Sequence, residues 1–144
     1  MLFQNILVPI DPSTQSTRAF KVALDVAKKY NSKLTLLTCL EIDTWHNRYF
    51  DSRVNAAIIK KQSKIVEKYF ETLESIAEKN NVSVKSRILT SKSAVNDIVS
   101  FAKSKKCDLI VIGSHSKSGF DKWLLGSVAN GVSQKANCPV LIIK

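Results

Sequence analysis

Short apolar runs alternate along this chain with longer stretches in which apolar residues recur every three or four positions. This alternation constrains the fold more than any other feature, because strand-sized and helix-sized segments in strict succession cannot be folded as simple hairpins. The run "FQNILVPI" (3–10) breaks at Asp11-Pro12, and from Ser13 to Tyr30 the residues Ala19, Val22, Ala23, Val26, Ala27 and Tyr30 line one helix face. "KLTLLTCLEI" (33–42) is the second strand. Residues 43–54 have no clean period and read as a loop.

Ile58, Ile65, Tyr69, Leu73, Ile76 and Ala77 then predict a long helix closing at Asn80-Asn81, and "VSVKSRIL" (82–89) alternates as a strand does. Ser93 is placed to cap a helix carrying Val95, Ile98, Val99 and Ala102. "CDLIVIG" (107–113) is continuously apolar, the pattern of a strand buried on both faces. A helix over 127–136 and the run "PVLIIK" (139–144) finish the series. The order β-α-β-α-β-α-β-loop-α-β requires crossover connections, which set the strands parallel and put helices on both faces. The expectation is one doubly wound, Rossmann-like α/β domain over residues 1–144, without repeat or linker.

A length of 144 residues suffices to bury a core without disulfides or metals. The three cysteines, Cys39, Cys107 and Cys138, have no CxxC spacing and read as free thiols in a reducing compartment. His46 and His115 stand beside no cysteine pair, so no metal site is expected. No apolar run is long enough to span a bilayer, and "MLFQNILVPID" has none of the features of a signal peptide. The expected location is the cytoplasm, with no membrane partner. The net charge of +10 raises nucleic acid as a partner, but the lysines are dispersed over helical segments and interleaved with Glu67, Glu71, Glu74 and Glu78. Solvated helix faces are the reading preferred here.

All four glycines, Gly113, Gly119, Gly126 and Gly131, fall in the span that begins where the fourth strand ends. Open parallel sheets bind ligands beyond the carboxyl ends of their strands, where the strand order reverses. Gly113 would let the chain leave a buried strand where a Cβ would block a neighbour. Gly126-Ser127 opens the last helix, whose free N–H groups and Ser127 hydroxyl would face the same crevice and favour an anion. Asp11, at the end of the first strand, suits either a ligand contact or the capping of the helix that follows. The loop is neither a Walker A sequence nor a GxGxxG fingerprint. Gly119 reads as a turn residue, and Gly131 as a point of close helix packing.

With "NILVPIDPS", "DLIVIGSHS" and "LLGSVANGVSQKANCPVLII" in view, the chain resembles the universal stress protein family from Phe3 to Lys144. The resemblance implies a five-stranded parallel sheet of order 3-2-1-4-5, homodimers, and division into ATP-binding and non-binding groups. The binding group's pattern is G-x-x-G-x(9)-G-[ST]. Gly113, Gly126 and Ser127 match it, whereas position 116 is serine instead of the second glycine. If that position takes a positive φ, Ser116 costs roughly 1 kcal/mol and about tenfold in affinity; with a negative φ its N–H contact survives. By position, the resemblance puts Asp11 at the ribose or adenine side and Pro9 at the floor. It puts Cys39 where a backbone meets adenine, Ile112 and Gly113 along the ribose and phosphate path, and Ser116, Gly126, Ser127 and Val128 around the phosphates. Lys117, Lys122 and His115 lie nearby in the loop.

The implied ligand is ATP or AMP, with Mg²⁺ as an optional companion. No carboxylate pair, Ser-His-Asp set or activated cysteine is identifiable, so no catalytic residue is assigned, and slow ATP hydrolysis is the most that is expected. The resulting expectation is a nucleotide-binding stress-response or signalling module. Its alternatives are a protein-interaction module that has lost nucleotide and, third, a nucleic-acid binder. "PVLIIK" would be an exposed edge unless paired, which predicts a homodimer through the C-terminal strand. Trp45, Tyr49 and Phe50 read equally as a lid over the crevice or as packing over the long helix.

Overall fold

The computed structural model describes residues 2–12, 14–41, 52–114 and 126–144. In chain order the elements are β1 (Asn5–Pro9), α1 (Thr14–Tyr30), β2 (Lys33–Glu41), α2 (Ser52–Lys79), β3 (Val84–Ser91), α3 (Ala94–Ser104), β4 (Leu109–Gly113), α4 (Ser127–Lys135) and β5 (Val140–Ile143). The five strands form one sheet in the order β3-β2-β1-β4-β5, and every pairing is parallel. The expected fold class and strand order both hold. Element limits move by a few residues: β3 lies two positions later than expected, and residues 52–54, expected as loop, belong to α2.

Alternation within the strands divides the core. Ile6 and Val8 of β1, with Leu109 and Val111 of β4, pack under α1 and α2 against Phe20, Phe70 and Leu73. Their sequence neighbours Leu7, Ile110 and Ile112 face the other way, toward Ile98 of α3 and Val132 of α4. Both faces of these central strands are therefore covered, which explains why their sequences are apolar without interruption. β4 is registered directly against β1 (Ile6↔Leu109) and β5 (Ile110↔Val140).

Three helices end without glycine. Ser32 N–H donates to Ala27 O at 3.0 Å, Val82 N–H to Ala77 O at 3.0 Å, and Cys107 N–H to Ala102 O at 2.8 Å. These are Schellman closures, and the residue before each donor takes the left-handed conformation: Asn31 (φ 55), Asn81 (φ 57) and Lys106 (φ 54). Asparagine tolerates that region better than most side chains do. The chain thereby reserves its glycines for the neighbourhood of β4 and α4. At the start of α3, Ser93 Oγ accepts from Asn96 N–H, the expected cap.

Candidate functional site

β1 runs to a helix whose next strand pairs on one side, while β4 pairs on the other, so the strand order reverses between β1 and β4. A crevice of about 510 Å³ opens there, at the carboxyl ends of β1, β2 and β4 and between α2 and the start of α4. Such a switch point is where two adjacent crossovers diverge and leave space above the sheet.

The β1 exit forms the floor. Ile10 N–H donates to Leu37 O at 2.8 Å, and the buried Thr38 hydroxyl donates to Ile10 O at 2.6 Å, tying the exit of β1 to β2. Asp11 N–H donates to Ser16 Oγ at 3.0 Å, and that hydroxyl also lies 3.0 Å from Asp11 Oδ1, to which it donates. The Asp11 carboxyl is thus anchored to the first turn of α1 through one oxygen. Local anchoring and a ligand contact coexist here: Asp11 lines the crevice while its Oδ1 is tied down.

The β4 side matches expectation at Gly113 and departs from it at Gly126. Gly113 is not in a positive-φ conformation; a Cβ there would lie 3.0 Å from the carbonyl carbon and Cβ of Gln15. Its role is close approach of α1 to the end of β4, where, as expected, a Cβ would block a neighbour. Gly126 N–H is not free, because it donates to Ser114 O at 2.7 Å. The helix hydrogen bonds of α4 begin with Asn130 N–H to Gly126 O, and Gly126 has no side chain to cap the turn. The amides of Ser127, Val128 and Ala129 consequently have no hydrogen-bond partner among the described residues, and all three residues line the crevice. Unpaired N–H groups at the positive end of a helix dipole form a wall suited to an anion.

The opposite wall comes from β2 and α2. Leu37, Cys39 and Glu41 contribute from the strand, and Gln62 and Ile65 from the helix. Glu41 Oε1 accepts from Ala94 N–H at 3.2 Å, so this carboxylate also caps α3. Burial, followed by the charges of Asp97 and Glu41, pushes the Cys39 thiol up to about 11. Cys39 is therefore held as a neutral thiol and not as a nucleophile.

Of the residues singled out in the sequence, Pro9, Asp11, Cys39, Ile112, Gly113, Gly126, Ser127 and Val128 all border this one crevice. Ser116, His115, Lys117, Gly119 and Lys122 lie outside the described residues, as do His46, Trp45, Tyr49 and Phe50. Gly131 packs as expected: a Cβ on it would lie 2.8 Å from Val95 Cγ2, between α4 and α3. Sequence reasoning missed Thr38, Glu41 and Gln62. Glu41 ends a parallel strand and was accessible to the carboxyl-end rule; Gln62 has no sequence signal, because only the tertiary course of α2 brings it to the crevice.

The universal stress protein family model matches residues 2–144. A universal stress protein of Methanocaldococcus jannaschii is 30% identical, with 99% of this chain and 83% of the relative covered. Universal stress protein YxiE of Bacillus subtilis is 31% identical, with 99% and 100% covered. Among solved structures, universal stress protein UspA of Lactobacillus plantarum superposes with a TM-score of 0.88 at 21% identity, covering 100% and 99% of the two chains. The Archaeoglobus fulgidus universal stress protein in complex with dAMP has a TM-score of 0.67 at 26% identity, covering 100% of both chains. A universal stress protein in complex with cAMP has a TM-score of 0.74 at 23% identity, covering 100% and 99%. With the family model matched over almost the whole chain and the sheet order 3-2-1-4-5 in place, this chain belongs to the universal stress protein family.

Proposed function

We propose that the protein is a nucleotide-binding stress-response or signalling module that holds AMP or ATP in the crevice between α2 and α4. The observation that carries this reading is the wall of three unpaired amides, Ser127 to Ala129, facing Asp11 and the carboxyl ends of β1 and β2 across one cavity. A phosphate at the amide wall leaves the ribose over Asp11, whose second oxygen has no partner among the described residues and suits a sugar hydroxyl. Universal stress proteins in complex with dAMP and with cAMP support the same ligand class.

No cluster of three or more His, Cys, Asp or Glu occurs among the described residues, and Asp11 and Glu41 stand on different walls of the crevice.

The exposed edge of the sheet supports a homodimer. β5 is the last strand, and its Leu141 is 39% exposed, so a second copy pairing there would cover apolar side chains and an open row of backbone groups. Among the described residues no helix is long and apolar enough to cross a membrane.

Equilibrium dialysis of the purified protein against labelled AMP and ATP tests the reading. Saturable binding of one nucleotide per chain is expected; no binding at millimolar nucleotide would refute it. The serine at 116, where the binding group has glycine, favours a second reading, an interaction module without nucleotide. Ser116→Gly separates the two: about tenfold tighter binding marks a functioning loop eased by glycine, whereas no binding in either form marks the second reading.

A further inference from the structure

We propose that the outer face of α2, with the adjoining side of α1, docks on a lipid surface that bears anionic headgroups. This face shares only Ile65 with the crevice and does not depend on the nucleotide reading.

The helix over Ser52–Lys79 sorts what the sequence interleaves. At about 100° per residue, Val54, Ile58, Ile65 and Ile76 fall within an arc of about 40°. That arc adjoins the buried one of Val66, Leu73 and Ala77, yet Ile65 is 55% exposed and the other three are 37–45% exposed. Lys61, Lys64, Lys68 and Lys79 occupy the next arc, all exposed. Glu67, Glu71, Glu74 and Glu78 lie beyond them with Lys60. The lysines therefore stand between the apolar line and the glutamates. Lys60, Lys64 and Lys68 follow one another at i,i+4 spacing, a repulsion that an external anion relieves. Lys61, Lys64, Lys68 and Lys79 make no ion pair among the described residues.

α1 extends the same face. The Thr17 hydroxyl lies 2.6 Å from the Tyr69 hydroxyl, which fixes the side of α1 that meets α2. Lys21 and Lys28 follow Thr17 along that side after about one and about three turns, and both are exposed. Lysines thus flank the apolar line from both helices, with Asp25 as the acidic residue on this side of α1.

The side-chain chemistry selects lipid over protein. Protein interfaces draw affinity from Trp, Tyr and Arg anchors and are poor in lysine, whereas this face offers isoleucines and lysines. A second copy docking by the same face would set lysine against lysine. An anionic bilayer accepts both parts: isoleucines enter the acyl boundary, and lysine stems follow them while their ammonium groups reach headgroup phosphates and carboxylates. α2 lies along such a surface, since no described helix is long and apolar enough to cross it.

Cosedimentation of the full chain with phosphatidylcholine vesicles, alone or with about one-third phosphatidylserine, tests the proposal. Binding to the anionic vesicles only is expected at about 0.05 M salt, and about 0.5 M salt should largely remove it. A lysine near such a surface contributes about fivefold, so Lys61→Gln combined with Lys68→Gln should weaken binding about twenty-five-fold. Ile58→Ser should weaken it about threefold without changing the salt dependence. Lys103→Gln combined with Lys105→Gln, at the end of α3 on the opposite face of the sheet, is the charge-matched control and should stay within about twofold of wild type. All five positions are exposed, so the fold survives each change. No binding to anionic vesicles at low salt overturns the proposal in favour of an acidic protein as the occupant. Equal weakening by the control pair overturns it as general charge attraction, and wild-type binding by both the Ile58 and the Lys61/Lys68 variants overturns the assigned face.

Discussion

Gly126 N–H donates to Ser114 O at 2.7 Å, joining the start of α4 to the end of β4. Ser114 N–H in turn donates to Ile143 O at 2.8 Å, so α4, β4 and β5 are pinned at one point. The amide wall of the crevice takes its position from this pin. Gly126 sits at φ −57, a value proline also adopts, so Gly126→Pro removes the donor without straining that torsion. Leaving the Ser114 carbonyl unpaired should cost about 1–3 kcal/mol by urea denaturation and weaken nucleotide binding with it.

Gly131→Ala tests the α3–α4 contact. Alanine favours the helix by about 1 kcal/mol, but its Cβ would sit 2.8 and 2.9 Å from the two methyl carbons of Val95. Overpacking against a branched, half-buried side chain costs about 1–3 kcal/mol, so a net loss of about 1 kcal/mol is expected in chemical denaturation. Val95→Ala in the same background should return part of it.

Thr38→Val keeps the side-chain shape and removes the hydroxyl that donates to Ile10 O in a buried setting. An unsatisfied carbonyl there should lower stability by about 1–3 kcal/mol. Because Ile10 precedes Asp11, the variant should also bind AMP less tightly, read by dialysis beside wild type.

The thiols predict an alkaline weakness. Burial raises Cys39 and Cys107 from 9.0 to about 11, and raises Cys138 as well. An unfolded chain loses these protons first, so the contribution to stability is complete below pH 9 and disappears as pH climbs through 11. Native-state alkylation should be slow at neutral pH and accelerate only near pH 11. Bound AMP should protect Cys39, which lines the crevice, and leave Cys107 and Cys138 unprotected.

Strand placement was legible because both faces of β1 and β4 are covered, and a doubly covered strand can be written only in apolar residues. Asn31 and Asn81 marked two helix ends for a reason visible in the sequence, the tolerance of asparagine for positive φ. Lys106 marks a third with no such sign. Gly113 was legible as a place where a Cβ would block a neighbour, but the identity of that neighbour was not, since Gln15 is almost a hundred residues earlier. Gln62 was illegible for a related reason: a long helix has many exposed polar positions, and only the path of α2 over β2 selects this one. The occupied amide of Gly126 depends on Ser114 across the loop, and a glycine pattern carries no information about which N–H is already bonded.

If the free amides of α4 and the β2–α2 wall serve one ligand, both should respond to it together. Titrating AMP into ¹⁵N-labelled protein while following backbone amide resonances reads both walls in one experiment. Saturable, simultaneous shifts are expected at Ser127, Val128 and Ala129 and at Cys39 through Glu41. Shifts absent at millimolar AMP, or confined to exposed lysine-bearing helix faces, would contradict it.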